Sequence, residues 1–181
     1  FGEYIPGRDL FDRVADLSAV PRDAIAGRGT GLMRTPAGDV GALISYEVFF
    51  ADRARAAARA GGRLLLVPTN AASFKTSQVP AQEVAAARLR AVETGRDLVQ
   101  AAPTGSSAVI DHRGRVLRRS TLGRRQVLEA TVALRADQTV YTVIGDWPLL
   151  ALAAAALCAA WGVAVADVRP APRRRRSRTG R

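Results

Sequence analysis

A single cysteine, a single histidine and a single lysine occur among the 181 residues. Cys158 cannot close an internal disulfide, so cysteine usage carries no information on redox compartment. It lies in an apolar C-terminal run, where it would sit among Ala and Leu in lipid, and a catalytic cysteine is excluded on that reading. His112 falls in Asp111-His112-Arg113-Gly114, a turn sequence in which a lone histidine is expected to face solvent and Gly114 wants positive φ. A hairpin tip offers no buried base, which argues against a Ser-His-Asp triad on His112. One His and one Cys far apart in the chain give no metal-ligand cluster, so neither a metal nor a cofactor is expected. There is no internal repeat. The one Gly-rich segment, Gly27-Arg28-Gly29-Thr30-Gly31, lacks the preceding strand and the Lys that a phosphate-binding loop needs.

What is abundant is arginine, and its placement matters more than its amount. The formal charge is +11, and Lys75 is the only Lys among 27 basic residues, a bias toward Arg and Ala. Arg169 to Arg181 contains seven Arg and no acid, so this tail alone carries +7 and the rest about +4. The basic balance is a terminal tail, not a folded basic face. No aromatic-basic platform or recognition motif accompanies it, and nucleic acid is not an expected partner. Just before the tail, Trp147 to Ala166 runs 20 residues without a charge, enough for a helix to cross a bilayer. The same stretch could be a buried Ala-rich helix of a soluble protein, but Arg173-Arg174-Arg175-Arg176 follows almost at once. A charge-free span with a basic cluster beyond it is the positive-inside pattern, placing the tail in the cytoplasm and the preceding chain outside. Arginines there would also meet anionic lipid head groups.

The stretch around which the chain is organised is Asp39 to Phe50. Val40–Ile44 is almost wholly apolar, as suits a strand buried on both faces. It breaks into Ser45-Tyr46-Glu47, and from Val48 the pattern turns helical through Phe49, Ala51, Ala54, Ala57 and Ala58 to a Gly61-Gly62 stop. Strand, sharp turn and helix put Ser45 at the open end of a sheet, beside a helix N-terminus whose N–H groups could hold an oxyanion. Two readings of Ser45 stand side by side: a helix cap, or a nucleophile. Glu47, two residues on, would be stabilised by the helix dipole and could orient the turn.

Elsewhere, Arg63–Val67 is a second apolar strand ended by Pro68-Thr69-Asn70, so that strand, helix and strand make a βαβ unit with a parallel or mixed sheet. Gln82–Glu93 reads as an amphipathic helix with Val84, Ala87, Ala91 and Val92 on its apolar side, Leu89 at the edge and Gly95 as C-cap. Leu98–Ala102 is a third core strand, and Ser107–Ile110, Arg115–Arg118 and Gln126–Leu134 are three more. Phe1 to Pro36 is mostly loop, with one short amphipathic helix through Leu10, Phe11, Val14, Leu17 and Val20.

Four segments in order carry a resemblance. Phe1-Gly2-Glu3-Tyr4-Ile5-Pro6, the elbow with Ser45-Tyr46-Glu47, the helix Ala87 to Arg96, and Gly145-Asp146-Trp147-Pro148 are similar to motifs of the nitrilase (carbon–nitrogen hydrolase) superfamily, and most like its apolipoprotein N-acyltransferase family. The resemblance runs from Phe1 to about Ala166. It implies an α/β fold, part of a layered α-β-β-α sandwich over 1–140, then a transmembrane helix over 147–166 and a basic cytoplasmic tail over 167–181. It implies an acyltransferase of a bacterial inner membrane, multi-pass in the full-length protein. The acyl chain would pass from a phospholipid donor to the enzyme nucleophile, then to the N-terminal diacylglyceryl-cysteine of a lipoprotein acceptor. Ser45 takes the nucleophile position, Glu3 the place of a second essential glutamate over the active-site mouth, and Tyr46 and Glu47 are substrate-binding candidates.

Two departures bear on activity. The family nucleophile is Cys, and a hydroxyl in its place needs a stronger base beside it. The family's Asn-Asp-Ala-Trp-Phe-Gly loop stands here as Asn70-Ala71-Ala72-Ser73-Phe74-Lys75. The family's general-base Glu and its Lys lie before the Phe-Gly-Glu motif, inside which this chain opens, so the sequence reads as the C-terminal part of a longer protein. A relative that kept the fold and lost the chemistry, acting as a binding or regulatory protein, is the alternative.

Overall fold

The computed structural model describes residues 5, 7–18, 21–25, 27–70, 74 and 77–168, with side chains up to 165. The chain divides into two compact units, Phe1–Thr30 and Gly31–Arg181. In the first, α1 (Arg8–Phe11) is a single turn. Asp23 Oδ1 holds it, accepting from Ile5 N–H at 3.0 Å and from Arg8 Nη2 at 2.8 Å. The longer helix expected through Leu10, Phe11, Val14, Leu17 and Val20 does not form over the described residues. Leu10, Phe11 and Val14 are exposed, and an apolar stripe that buries nothing cannot offset the entropy of helix formation. Val20 lies outside the described residues, as do Glu3 and the Arg tail.

The second unit is built on one mixed six-stranded sheet in the order β1-β2-β3-β4-β5-β6. β1 (Leu32–Thr35) and β2 (Gly38–Ala42) form an antiparallel hairpin. β2, β3 (Leu64–Pro68) and β4 (Leu98–Ala101) run parallel, with Gly41 opposite Leu65 and Leu66 opposite Val99. β5 (Ala108–Ile110) and β6 (Val116–Arg119) complete the sheet antiparallel. The crossovers are α2 (Ala51–Arg59) and α3 (Val79–Thr94), which pack on each other and on the sheet. The described residues thus supply one helical layer on one sheet, the α-β part of the expected sandwich, with the two predicted core strands as parallel neighbours.

The core lies between these layers. Leu43, Leu65, Val67, Leu98 and Ile110 meet Val48, Ala54, Ala57, Val84, Ala87 and Ala91, all buried. Small residues on the helices let backbone approach backbone: a Cβ on Gly41 would stand 2.8 Å from the Ala57 Cβ. Truncating Leu65 or Leu98 to Ala in such packing costs about 2–5 kcal/mol. Gly95 ends α3 in the left-handed region at φ 65°, as its C-cap role requires, and Gly114 turns the β5–β6 connection at φ 76°.

Three further expectations need correction. The helix after the elbow is not continuous from Val48. A 3-10 turn over Ser45–Phe49 comes first, Phe50 is extended, and α2 then starts. Gln126–Leu134 is not a strand. It crosses the amino ends of the parallel strands, where Ala133 N–H donates to Asp97 Oδ2 at 2.8 Å and Arg135 N–H to Arg63 O at 3.0 Å. Its β-rich composition found no ladder to join, and Val127 is 87% exposed. His112 is half-buried, its Nδ1 3.6 Å from Asp97 Oδ1, so the turn packs on the body instead of standing free.

α4 (Val140–Ile144) is capped by the Thr139 hydroxyl and leads through Gly145 into α5 (Trp147–Val168). Trp147–Val165 is long and apolar enough to cross a membrane, and none of it is buried against the described residues.

Candidate active site

The carboxyl ends of parallel strands are where open α/β sheets place their sites, because loops and helix starts converge there. Here Ser45 follows β2, Thr69 and Asn70 follow β3, and Ala102 to Thr104 follow β4. The ladder runs slightly past the assigned strands, with Leu43 N–H donating to Leu66 O at 2.9 Å and Thr69 N–H to Ala101 O at 2.9 Å. This register brings Ser45 and Thr69 level. Thr104 Oγ1 donates to Asn70 Oδ1 at 2.9 Å, tying the loops after β3 and β4 together.

Ser45 sits at φ 51°, the only described non-glycine residue with positive φ. That conformation costs an L-residue roughly 1–2 kcal/mol, and such strain concentrates where a fold must aim a side chain. Ser45 does not cap the turn. Ile44 occupies the cap position, and the Ser45 hydroxyl faces Thr69. Glu47 holds the elbow from below: its Oε2 accepts from Ile44 N–H at 2.9 Å and its Oε1 pairs with Arg53 at 2.9 Å. Glu47 therefore orients the turn. Tyr46 is 68% exposed and packs against Phe49 and Phe50 at ring-centroid distances of 5.1 and 5.6 Å, an apolar surface next to Ser45.

Behind Ser45 stand two residues that sequence reasoning missed. Thr69 Oγ1 lies 3.3 Å from Ser45 Oγ and 2.8 Å from Glu83 Oε1. Both are buried, Thr69 at 5% and Glu83 at 4% exposure. Glu83 had a legible signal. On α3 the buried positions are Pro80, Glu83, Val84, Ala87, Arg90, Ala91 and Thr94, so a carboxylate stands on the apolar stripe. Thr69 had none, since it reads as an ordinary strand end. Of the predicted site residues, Ser45, Tyr46 and Glu47 are together on the elbow, whereas Glu3 lies outside the described residues. No cluster of three or more metal-ligating side chains occurs among the described residues.

The carbon–nitrogen hydrolase family model matches residues 8–141. The chain belongs to that family. Its relatives include apolipoprotein N-acyltransferases of Gloeobacter violaceus, 40% identical over 87% of this chain, and of Photobacterium profundum, 33% identical over 82%. The one from Mycolicibacterium smegmatis is 33% identical over 99% of this chain. The chain spans about 30% of the length of these relatives. Among solved structures, Saccharomyces cerevisiae Nit3 of the nitrilase superfamily matches at TM-score 0.51 and 24% identity, over 59% of this chain and 42% of Nit3. That likeness speaks for the fold alone. In this carbon–nitrogen hydrolase chain, the family match spans both the strand-to-elbow junction and the two crossovers.

Proposed function

We propose that this chain carries the nucleophile-bearing part of a membrane-anchored acyltransferase. It moves a fatty acyl chain from a phospholipid to the N-terminal diacylglyceryl-cysteine of lipoproteins. The observation that carries this reading is Ser45 held at φ 51° on the elbow after β2, at the carboxyl end of the parallel strands. The name shared by the relatives supports the substrate class. Exposed Tyr46 and Phe50 beside Ser45 suit an acyl chain, and the family resemblance gives Glu3 the role of the second essential glutamate. α5 tethers the site to the bilayer in which both lipid substrates reside, with the Arg tail inside the cell and the hydrolase-like domain outside. The test is acyl-enzyme formation by the full-length protein from a phospholipid labelled in its acyl chain. Ser45→Ala should abolish it, and Ser45→Cys should keep or raise it because a thiolate is the better nucleophile. Wild-type turnover by Ser45→Ala would remove Ser45 from the nucleophile role. Release of the full-length protein by alkaline carbonate would count against the membrane span.

The serine also favours a second reading, a family member that retains the fold as a binding or regulatory protein. That reading expects no acyl-enzyme from the wild-type protein and acyl-enzyme only from Ser45→Cys, or from neither.

A further inference from the structure

Resting on the membrane span proposed for α5, we infer that α4 lies in the membrane–water interface, with Val140, Val143 and Ile144 set among phospholipid head groups and the first carbons of their acyl chains. α4 is one short helix with two unlike sides, and its inner side is closed. Thr142 is fully buried, its N–H donating to Thr139 Oγ1 at 3.0 Å and its hydroxyl to the Glu93 carbonyl at 3.2 Å. The Thr139 hydroxyl donates to the same carbonyl, which fixes the start of α4 to the last turn of α3. Arg55 on α2 holds the middle. Its guanidinium stands 5.5 Å from the centroid of the Tyr141 ring, within cation–π range, and its Nη2 donates to Thr142 O at 3.5 Å.

The outer side is apolar and open. Val140 is 74%, Val143 54% and Ile144 43% exposed, and α4 contains no charged residue. The charges beside it are engaged: Asp146 accepts from the Tyr141 hydroxyl at 2.9 Å, and Asp52 pairs with Arg55 at 3.1 Å. An open apolar face rimmed by polar groups marks an interaction surface.

Continuity with the span names the occupant. Only Gly145 and Asp146 separate Ile144 from Trp147, the exposed first residue of α5. Tryptophan at the end of a span sits at the level of the head groups. Gly145, at φ 62°, breaks the helix there, so α4 does not lengthen the span but turns off it at that level. Three steps of chain reach at most about 11 Å, which keeps Ile144 within a side chain's length of the interfacial layer. Helices that lie along a membrane surface bury their apolar side in it and turn the polar side to water. α4 has the same division, with the protein body taking the place of water. The consequence reaches the site, because α2 begins just after the elbow and carries Arg55. A body that rests on α4 as well as on α5 meets the bilayer at two points, and cannot swing freely about Gly145.

The test places a photoreactive benzoylphenylalanine at position 143, and separately at position 140, of the full-length protein in vesicles of phosphatidylethanolamine and phosphatidylglycerol. Both positions are exposed, so neither change removes packing. Irradiation should give protein whose mass has risen by one phospholipid at both positions, and none at position 118, where Arg118 is exposed on the edge strand β6. A link from 140 or 143 to another segment of the same chain would show that protein covers α4, and a cross-linked dimer would give the face to a second copy. Either result overturns the inference, as would no adduct at all, or lipid adducts at 118 in equal yield. Adduct formation needs no acyl transfer, so the outcome does not depend on the chemistry of Ser45. Release of the protein from the vesicles by alkaline carbonate would strike the membrane span itself, whereas retention without lipid adducts would strike this inference alone.

Discussion

The two ends of the parallel strands are built on opposite terms. At the amino ends, Arg96 and Asp97 are buried and richly bonded. Arg96 donates to the carbonyls of Gly62 at 2.8 Å, of Thr94 and Ala136 at 3.2 Å, and of Asp137. Asp97 accepts from the N–H groups of His112 at 3.0 Å and Ala133 at 2.8 Å, and from Arg135 Nε at 3.4 Å. Burial pushes the Arg96 guanidinium down from its ordinary value, and Asp137 offsets part of that. At the carboxyl ends, Ser45 is strained, one Glu83 oxygen has no partner among the described residues, and aromatic rings face solvent. The amino end spends its polar groups on holding 133–137 across the strands. The carboxyl end leaves strain and hydrogen-bonding capacity in reserve, as a site that must bind and react does.

Breaking the amino end should have the larger effect on stability. Arg96→Leu leaves several buried carbonyls without donors and should cost about 3 kcal/mol, lowering Tm by about 10 °C. Thermal unfolding in detergent measures this. A Tm within a degree or two of wild type would show that the network is dispensable. Next comes Asp111, at the β5–β6 turn on the same side. Burial alone would raise its carboxyl, but the N–H groups of Arg115 and Arg113 and the Arg115 guanidinium outweigh that and hold it below the ordinary range. A depressed carboxylate adds stability that is present above the unfolded value and is lost as pH falls through the folded one. Stability should thus decline below about pH 4. Asp111→Asn should flatten this acid limb in an unfolding series from pH 6 to pH 2, and an unchanged limb would assign it to other carboxylates.

The smallest effect sharpens the comparison from the other side. Ser45→Gly relieves the left-handed backbone and should raise stability by about 1 kcal/mol while removing the hydroxyl. A gain in Tm with loss of acyl transfer would mark the carboxyl end as strained for function. A loss in Tm would mean that the Ser45–Thr69 contact outweighs the backbone strain.

Much of this fold was legible locally. The apolar run at Val40–Ile44, its break at Ser45 and the Gly61-Gly62 stop announce the first βα unit, and Gly95 and Gly114 stand where positive φ is needed. Misreadings came where a segment's partner lies far away in the chain. Gln126–Leu134 has strand-like composition, yet a strand exists only beside another strand, and this segment meets the side chain of Asp97 instead. β1 was missed for the converse reason: Leu32–Thr35 is short and half-exposed, and pairing with β2 makes it a strand. The opening helix failed because its apolar face found nothing to cover.

The candidate site divides the same way. By itself the sequence determined that Ser45 stands on a strand-to-helix turn, because turn residues and hydrophobic period act between near neighbours. Its hydroxyl environment could not be determined so. Thr69 is 24 positions from Ser45 and Glu83 a further 14, and no local preference links them. Parallel pairing of β2 with β3 sets Thr69 level with Ser45, and packing of α3 on the sheet brings the Glu83 carboxylate behind both. Only the tertiary structure decided that Ser45 would stand beside a threonine bonded to a buried acid, because the position of a side chain on a helix is local while the surface that helix covers is not.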